Sequence, residues 1–261
     1  MRPPGPAKTI HWLRMTFVPA LSAALALPAA ALGAAAYAAY FPQSQLLGPV
    51  LIAPPQPREL ALTFDDGPNP SATPRLLDVL ARHNVRATFF LVGAHVRREP
   101  ALTRALAQAG HCIGNHTMNH PWLPLLPEAR VRAELTDCNH ALEDTLGAPI
   151  TLFRPPHGAR RAAVIRIARE LGLATVNWNI IVGDWMPIPA STILARTERG
   201  IARNRRRGHA SNIVLHDGGH QQPRLPTVEA TDQLLTRLRD TSFVTPDLWL
   251  QSPIQAASDV A

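Results

Sequence analysis

The sequence predicts an α/β protein, and within that class a (β/α) barrel rather than a doubly wound sheet. Short apolar or alternating runs exchange with helical runs along the chain, giving about six strand-and-helix pairs. Polar residues then choose between the two architectures. Asp65, His116, Arg154 and His216 each lie at or just beyond the C-terminal end of a different predicted strand, which is where a barrel of this class places its active site.

Taken in order, Glu59 to Phe64 reads as a strand running into the acid pair Asp65-Asp66, and Pro74 to His83 as a helix opened by its proline. Ala87 to Val92 (ATFFLV) is a strand, Glu99 to Ala109 a helix closed by Gly110, and His111 to Asn115 a strand leading to two histidines. Glu128 to Leu146 is a long helix ended by Gly147, Thr151 to Arg154 a strand, and Ala162 to Leu171 a helix ended by Gly172. Ala174 to Asn179 and Asn212 to His216 read as strands, Ser191 to Ala202 and Thr227 to Asp240 as helices.

Ahead of these elements, Met15 to Pro57 carries no charged residue, and Thr16 to Tyr40 is almost wholly apolar with alanine dominant. That length can span a bilayer. Arg2, Lys8 and Arg14 precede it, as in a secretory signal or the cytoplasmic flank of an anchor. Residues 1–40 are therefore expected to be a signal peptide or membrane anchor, and the rest of the chain to lie outside the cytoplasm. Cleavage and retention both stay open, because Ala36-Tyr37-Ala38 is a small-x-small site while the run is longer than a usual signal core. Residues 41–57 read as a proline-rich extended spacer, 58–252 as the folded domain and 253–261 as a tail.

The chain has 261 residues and a net charge of +7, much of the excess arginine. That balance favours acidic envelope surfaces without specifying nucleic acid. The densest basic run, Arg203 to Arg207 (RNRRR), lacks interleaved aromatics and reads first as a solvated helix end, with contact to an anionic polymer or lipid as the alternative. Cys112 and Cys138 are the two cysteines. In an exported domain a bridge is permitted, and the sequence leaves open whether they form one.

The chemistry sits in three distant segments, TFDDGP at Thr63 to Pro68, HTMNH at His116 to His120 and IVLHDGG at Ile213 to Gly219. His116 and His120 are four apart, so on a helical turn both imidazoles face one side and can bind one divalent ion, a carboxylate completing the set. An adjacent acid pair and a further histidine, His216, supply candidates for proton transfer. These are the parts of a mononuclear metal hydrolase.

With RPPHG at Arg154 to Gly158 and GDW at Gly183 to Trp185 between them, the five motifs stand in the order of the polysaccharide deacetylases, the NodB homology family of carbohydrate esterases. The chain resembles that family from about Glu59 to Leu250. The resemblance implies a distorted (β/α) barrel with fewer than eight regular repeats. It also implies hydrolysis of N-acetyl or O-acetyl groups on a glycan polymer or oligosaccharide. Asp66, His116 and His120 would be ligands of one divalent metal, Zn²⁺ by the family's habit, and Asp65 the base that deprotonates metal-bound water. His216 would be the acid that protonates the departing amine. Arg154 would orient Asp65 and keep it ionised, and Asp184 would position His216 and raise its pKa. Oxyanion stabilisation would come from the metal and the backbone N–H of His157, because Pro155 and Pro156 have none, and the two prolines would stiffen that wall.

Trp185 is expected in the sugar groove, and Pro156 and His157 with it. Val214 should share the inward face of its strand with His216 and wall the acetyl methyl, while Leu215 faces the helices. The chain departs from the family pattern at His157, where Tyr or Phe is usual. Trp122 reads equally as groove wall or as packing. His83, His95, His111, His140, His209 and His220 read as structural or surface residues. Three functions are carried forward: an N-acetylglucosamine deacetylase on peptidoglycan or chitin-like chains, an O-acetyl esterase on xylan-like polysaccharide, and a non-catalytic glycan-binding module. Retention of Asp65, Asp66, His116, His120 and His216 together argues against the third.

Overall fold

Residues 33, 37, 39–219, 223–238 and 240–251 are described in the computed structural model. The expected signal or anchor lies outside them save for Gly33, Tyr37, Ala39 and Tyr40, as do the tail 253–261 and His220.

The run ELALTFD forms β1 (Glu59–Asp65), the centre of a parallel sheet. It is joined by β2 (Thr88–Leu91), β3 (Cys112–Asn115), β4 (Leu152–Phe153), β5 (Ala174–Thr175), β6 (Ile180–Ile181) and β7 (Ser211–His216) in the order β5-β4-β3-β2-β1-β7-β6. A short β8 (Ser242–Phe243) pairs with the N-terminal end of β1. The sheet curls into an open barrel with short outer strands, the distorted form expected. Its helices are α1 (Thr73–Arg82), α2 (Gly93–Arg98), α3 (Pro100–Gln108), α4 (Glu128–Leu146), α5 (Ala162–Glu170), α6 (Ala190–Arg206), α7 (Leu225–Arg237) and α8 (Pro246–Gln251). The elements α2, β6, β8 and α8 have no counterpart in the sequence reading; each is too short to show a period.

Strand alternation sorts the core into two layers. Leu60, Leu62 and Phe64 of β1, with Phe89 and Leu91 of β2, pack outward against Leu76, Leu106, Leu135 and Ile193 of the helices. Ala61, Phe90, Leu152, Val176 and Trp249 form a separate inner cluster. The same alternation separates the cysteines: Cys138 belongs to the outer layer and Cys112 packs on the inner one, and both are free thiols. The open question of a bridge is thus answered by geometry, since the two side chains lie on different faces of the sheet. Burial pushes both thiols up to about 12.

Two expectations change. The strand foreseen over 174–179 ends at Thr175 as β5, and the unforeseen β6 follows at Ile180–Ile181; between them Asn177 Nδ2 donates to Pro42 O (2.9 Å) and Asn179 Nδ2 to Ala210 O (2.9 Å). The proline-rich stretch after residue 40 is not an extended spacer. Leu51 bridges Val176, Asn212 Nδ2 donates to Ile52 O (2.9 Å), and buried Arg160 donates to the carbonyls of Phe41, Pro42 and Ser44. This segment supplies backbone groups to the seam beyond the edge strand β5, which the barrel's own strands leave unpaired.

Candidate active site

β1 and β7 run side by side in a register that places Asp65 opposite His216. Immediately after β1 the chain turns at Asp66, whose φ is 72°. The turn is held from β7's end: Asp65 O accepts hydrogen bonds from Asp217 N (3.2 Å) and Gly218 N (3.3 Å). A Cβ at Gly218 would lie 2.1 Å from Asp66 O, so only glycine permits this approach. Beneath the turn, the buried Asp217 carboxyl rests against Gly67 and accepts a hydrogen bond from Thr73. Burial pushes that carboxyl up, the Thr73 hydroxyl opposes, and the Asp66 and Asp65 charges add, bringing it to about 7.

The histidine pair is not on a helical turn. HTMNH is a loop after β3 in which Thr117 (φ 69°) and His120 (φ 56°) adopt left-handed backbone. Polar braces hold this shape. Asn115 Oδ1 accepts from Thr117 N (2.7 Å), and the buried Glu134 of α4 accepts from Asn119 N (2.8 Å) and Asn119 Nδ2 (2.9 Å). The two rings nevertheless converge, with centroids 5.0 Å apart.

Asp66 Oδ1 lies 3.3 Å from His116 Nε2 and 3.1 Å from His120 Nε2. It is buried and has no hydrogen-bond partner, although the imidazoles are close. His116 Nδ1 sits 2.7 Å from Arg154 O, a carbonyl that only accepts, so the proton is on Nδ1 and the Nε2 lone pair faces the carboxylate. Burial opposes ionisation of Asp66, but the imidazoles of His116 and His120 hold its carboxyl well below the ordinary range. An orphaned carboxylate oxygen facing two imidazole nitrogens, all ligand atoms within 4.8 Å of one another, fits one divalent cation.

Arg154, which follows β4, is fully buried. Its Nη1 donates to Asp65 Oδ1 (2.8 Å) and Thr63 Oγ1 (2.6 Å), and its Nε to Val176 O (3.2 Å). The guanidinium carbon stands 4.1 Å from the centroid of Phe90. At the end of β7, His216 Nδ1 and Asp184 Oδ1 are 2.8 Å apart, while Asp184 Oδ2 accepts from His216 N (2.8 Å) and Thr227 Oγ1 (3.0 Å). Burial alone would lower the His216 pKa; the Asp184 charge and hydrogen bond, then Asp66 and Asp65, raise it to about 9.

Asp65, Asp66, His116, His120 and His216 line a cleft of about 270 Å³ whose remaining walls are His157, Trp178, Ile181, Trp185 and Val214. Val214 and His216 both face it, and Leu215 lies in the outer core. Trp185 is 38% exposed and meets the His216 ring edge-on at 5.3 Å. His157 (φ 59°) stacks on Trp122 at 4.2 Å and meets His120 edge-on, so Trp122, half exposed, extends the wall outward. Pro156 differs from expectation. It is buried in the short turn Pro156–Gly158 and does not line the cleft, because its ring supports the loop while the next residue faces the opening.

Several contributors escaped the sequence reading. Thr63 shares Arg154 with Asp65 two residues on, which strand alternation could have shown. Asp217 stands inside the IVLHDGG motif beside His216, whereas Trp178 and Thr227 carry no local signal. His95, read as structural, has Nδ1 2.8 Å from Asp66 O and so braces the turn that carries this candidate ligand. His83 pairs with Asp232, and His111 is packed against Phe89, with burial and Arg86 lowering it to about 4. His140 and His209 are exposed.

Comparison with known proteins places this arrangement. Residues 53–176 match the profile of the polysaccharide deacetylase family. The chain is similar to a peptidoglycan-N-acetylglucosamine deacetylase of Bacillus cereus, 35% identical over 186 residues that cover 70% of this chain and 83% of that protein. It is likewise similar to a chitooligosaccharide deacetylase of Sinorhizobium fredii, 35% identical over 196 residues covering 70% and 86% respectively. Among solved structures, the Bc1960 peptidoglycan N-acetylglucosamine deacetylase in complex with an N-hydroxybenzamide superposes with a TM-score of 0.69 at 31% identity, covering 75% of this chain and 89% of that one. The five ordered motifs, the open parallel barrel and these relationships agree, and the chain belongs to the polysaccharide deacetylase family.

Proposed function

We propose that this protein is a divalent-metal-dependent deacetylase that removes N-acetyl groups from N-acetylglucosamine-containing glycan. One observation carries the reading: a carboxylate paired with a buried arginine and a histidine paired with a buried aspartate line one cleft with the Asp66–His116–His120 set. This is what amide hydrolysis requires, since water must lose a proton on one side and an amine must gain one on the other. The relatives named above act on peptidoglycan and on chitooligosaccharides, and both share this sugar.

Asp66, His116 and His120 would hold the cation, for which Zn²⁺ suits two imidazoles and one carboxylate. When bound, it supplies Lewis-acid polarisation of the acetyl carbonyl and acidifies water. Asp65 takes the proton of the attacking water, and Arg154, 2.8 Å away, fixes the carboxylate's orientation and balances its charge. The backbone N–H of His157 is assigned to the developing oxyanion. His216, hydrogen-bonded through Nδ1 to Asp184, presents Nε2 to the scissile nitrogen and gives it a proton as the C–N bond breaks. Acetate and a free amine result. Val214, Trp178 and Trp185 exclude water around the acetyl and sugar groups. The basic n-region and the apolar run that follows it support export of the domain, released or anchored. Among the described residues no helix is long and apolar enough to cross a membrane.

The test is acetate release by the full chain from peptidoglycan oligomers, chitin oligomers and acetylated xylan. Metal-dependent release from an N-acetylglucosamine oligomer is expected. Release from xylan alone would replace the amidase by the esterase, and stoichiometric metal with no release from any glycan would leave only a binding role.

A further inference from the structure

Beside the catalytic cleft runs a larger groove of about 1020 Å³, and Trp178 and Ile181 line both. One bank is α6. Arg196, Arg199, Arg203, Arg206 and Arg207 all line the groove from that bank. Their spacing of 3, 7, 10 and 11 from the first puts them on one helical face. From first to last they extend over about 16 Å at 1.5 Å per residue. Gly200, on the same helix, lets it close on β6: a Cβ there would stand 2.9 Å from Ile180. The opposite bank is apolar, with Phe41 and Ile52 from the seam segment.

Several arginines elsewhere on the surface are matched with acids. Arg82 pairs with Asp232, Arg132 with Glu170, Arg166 with Glu128 and Arg237 with Glu198. In the groove, Arg196 donates to Val182 O, Arg199 to Ala195 O and Arg203 to Asn179 O. Among the described residues lining it there is no Asp or Glu, and the acid of the same helix, Glu198, points away to Arg237 on α7. Five guanidiniums in a row without a carboxylate, against an apolar rail continuous with the acetyl site, form a surface for oxyanions carried by a polymer. A membrane would demand a convex face with exposed apolar tips rather than a groove.

We infer that this groove is an extended subsite for an anionic glycan, so that the substrate is an acetylated strand bearing carboxylate or phosphate groups rather than a neutral one. This deepens the deacetylase reading and rests on it for the word substrate.

The full chain and R199Q/R203Q/R206Q are compared on three N-acetylglucosamine oligomers of equal length: neutral, carboxylate-bearing and phosphate-bearing. A second triple variant, R97Q/R98Q/R104Q, lowers net charge equally at exposed sites outside the groove. The wild type is expected to prefer one anionic oligomer, with the preference shrinking as salt rises. The groove variant should lower the anionic-to-neutral ratio of kcat/KM by roughly tenfold, mainly through KM. Which anion is preferred separates carboxylate from phosphate. An unchanged ratio, an equal loss in the control variant, or a groove-dependent binding to anionic lipid vesicles without any to glycan would each overturn the proposal. Fluorescence anisotropy with labelled oligomers and metal-stripped protein is run beside the kinetics. If no glycan is hydrolysed the deacetylase reading fails by itself, while the difference in anionic binding between wild type and groove variant still decides the groove.

Discussion

The two buried pairs at the catalytic cleft are built alike with the signs reversed. In one, the carboxylate of Asp65 faces the opening and the cation of Arg154 is buried behind it; in the other, the imidazole of His216 faces the opening and the carboxylate of Asp184 is buried behind. Each pair fixes a ring or carboxylate plane and biases a proton toward the group that needs it in the proposed reaction. The difference lies in the backing. Arg154 is also tied to the backbone at Val176 and to Thr63, whereas Asp184 hangs on a loop after β6 and is held by Thr227 of α7. The proposed base is thus positioned by the barrel wall, and the proposed acid by a helix packed outside it.

Breaking the base side should cost most. Asp65→Asn keeps the shape but removes the proton acceptor, and kcat is expected to fall by about 10³-fold or more while bound metal, measured by elemental analysis, stays stoichiometric. A matching loss of metal would move Asp65 from base to ligand.

Breaking the acid side should discriminate between leaving groups. His216→Ala is expected to lower amide turnover by about 10²–10⁴-fold and turnover of an activated aryl acetate by far less, since a phenolate departs without a proton. Equal losses on both would show that His216 holds the site together rather than donating.

Asp184→Asn sharpens the comparison at a distance. Asp184 raises the His216 pKa, so its removal should cost about tenfold in kcat and move the alkaline limb of the kcat/KM profile to lower pH. Stability gives the same sign. A histidine raised in the fold to about 9 contributes stability that is present below its ordinary range and lost as pH rises through 9. Metal-free wild type should therefore lose stability between pH 6 and 9 in urea titrations, and Asp184→Asn should lose less.

Gly218→Ala tests the turn rather than either proton carrier. A methyl 2.1 Å from Asp66 O forces the ligand turn to shift; about 1–3 kcal/mol of stability should be lost, with metal affinity falling in an equilibrium titration. Smaller still is the effect of the seam. A chain begun at Arg58 lacks Leu51 and the carbonyls that satisfy Arg160, and its Tm should fall by several degrees relative to one begun at Ala38.

Much of this was legible in the chain. The acid pair, the histidine spacing and the strand ends marked the site, and alternation along β7 put Val214 beside His216. The misreadings share a cause. HTMNH was expected on a helical turn because its spacing fits one, yet Asn115 and Glu134 pull it into a left-handed loop through bonds that span 2 and 15 residues. The stretch 41–57 reads as spacer because prolines dominate it, but its role is set by the unpaired edge it meets.

What the sequence by itself determined is therefore the kind of chemistry and the candidate residues for it, because donor types, strand period and motif order are local properties. Only the tertiary structure decided which atoms meet: the tautomer of His116, the loop form of the ligand pair, the free state of the cysteines on two faces of the sheet, and the run of arginines that opens onto the cleft. Each of these depends on a partner from another strand or helix, and no local pattern encodes where that partner will stand.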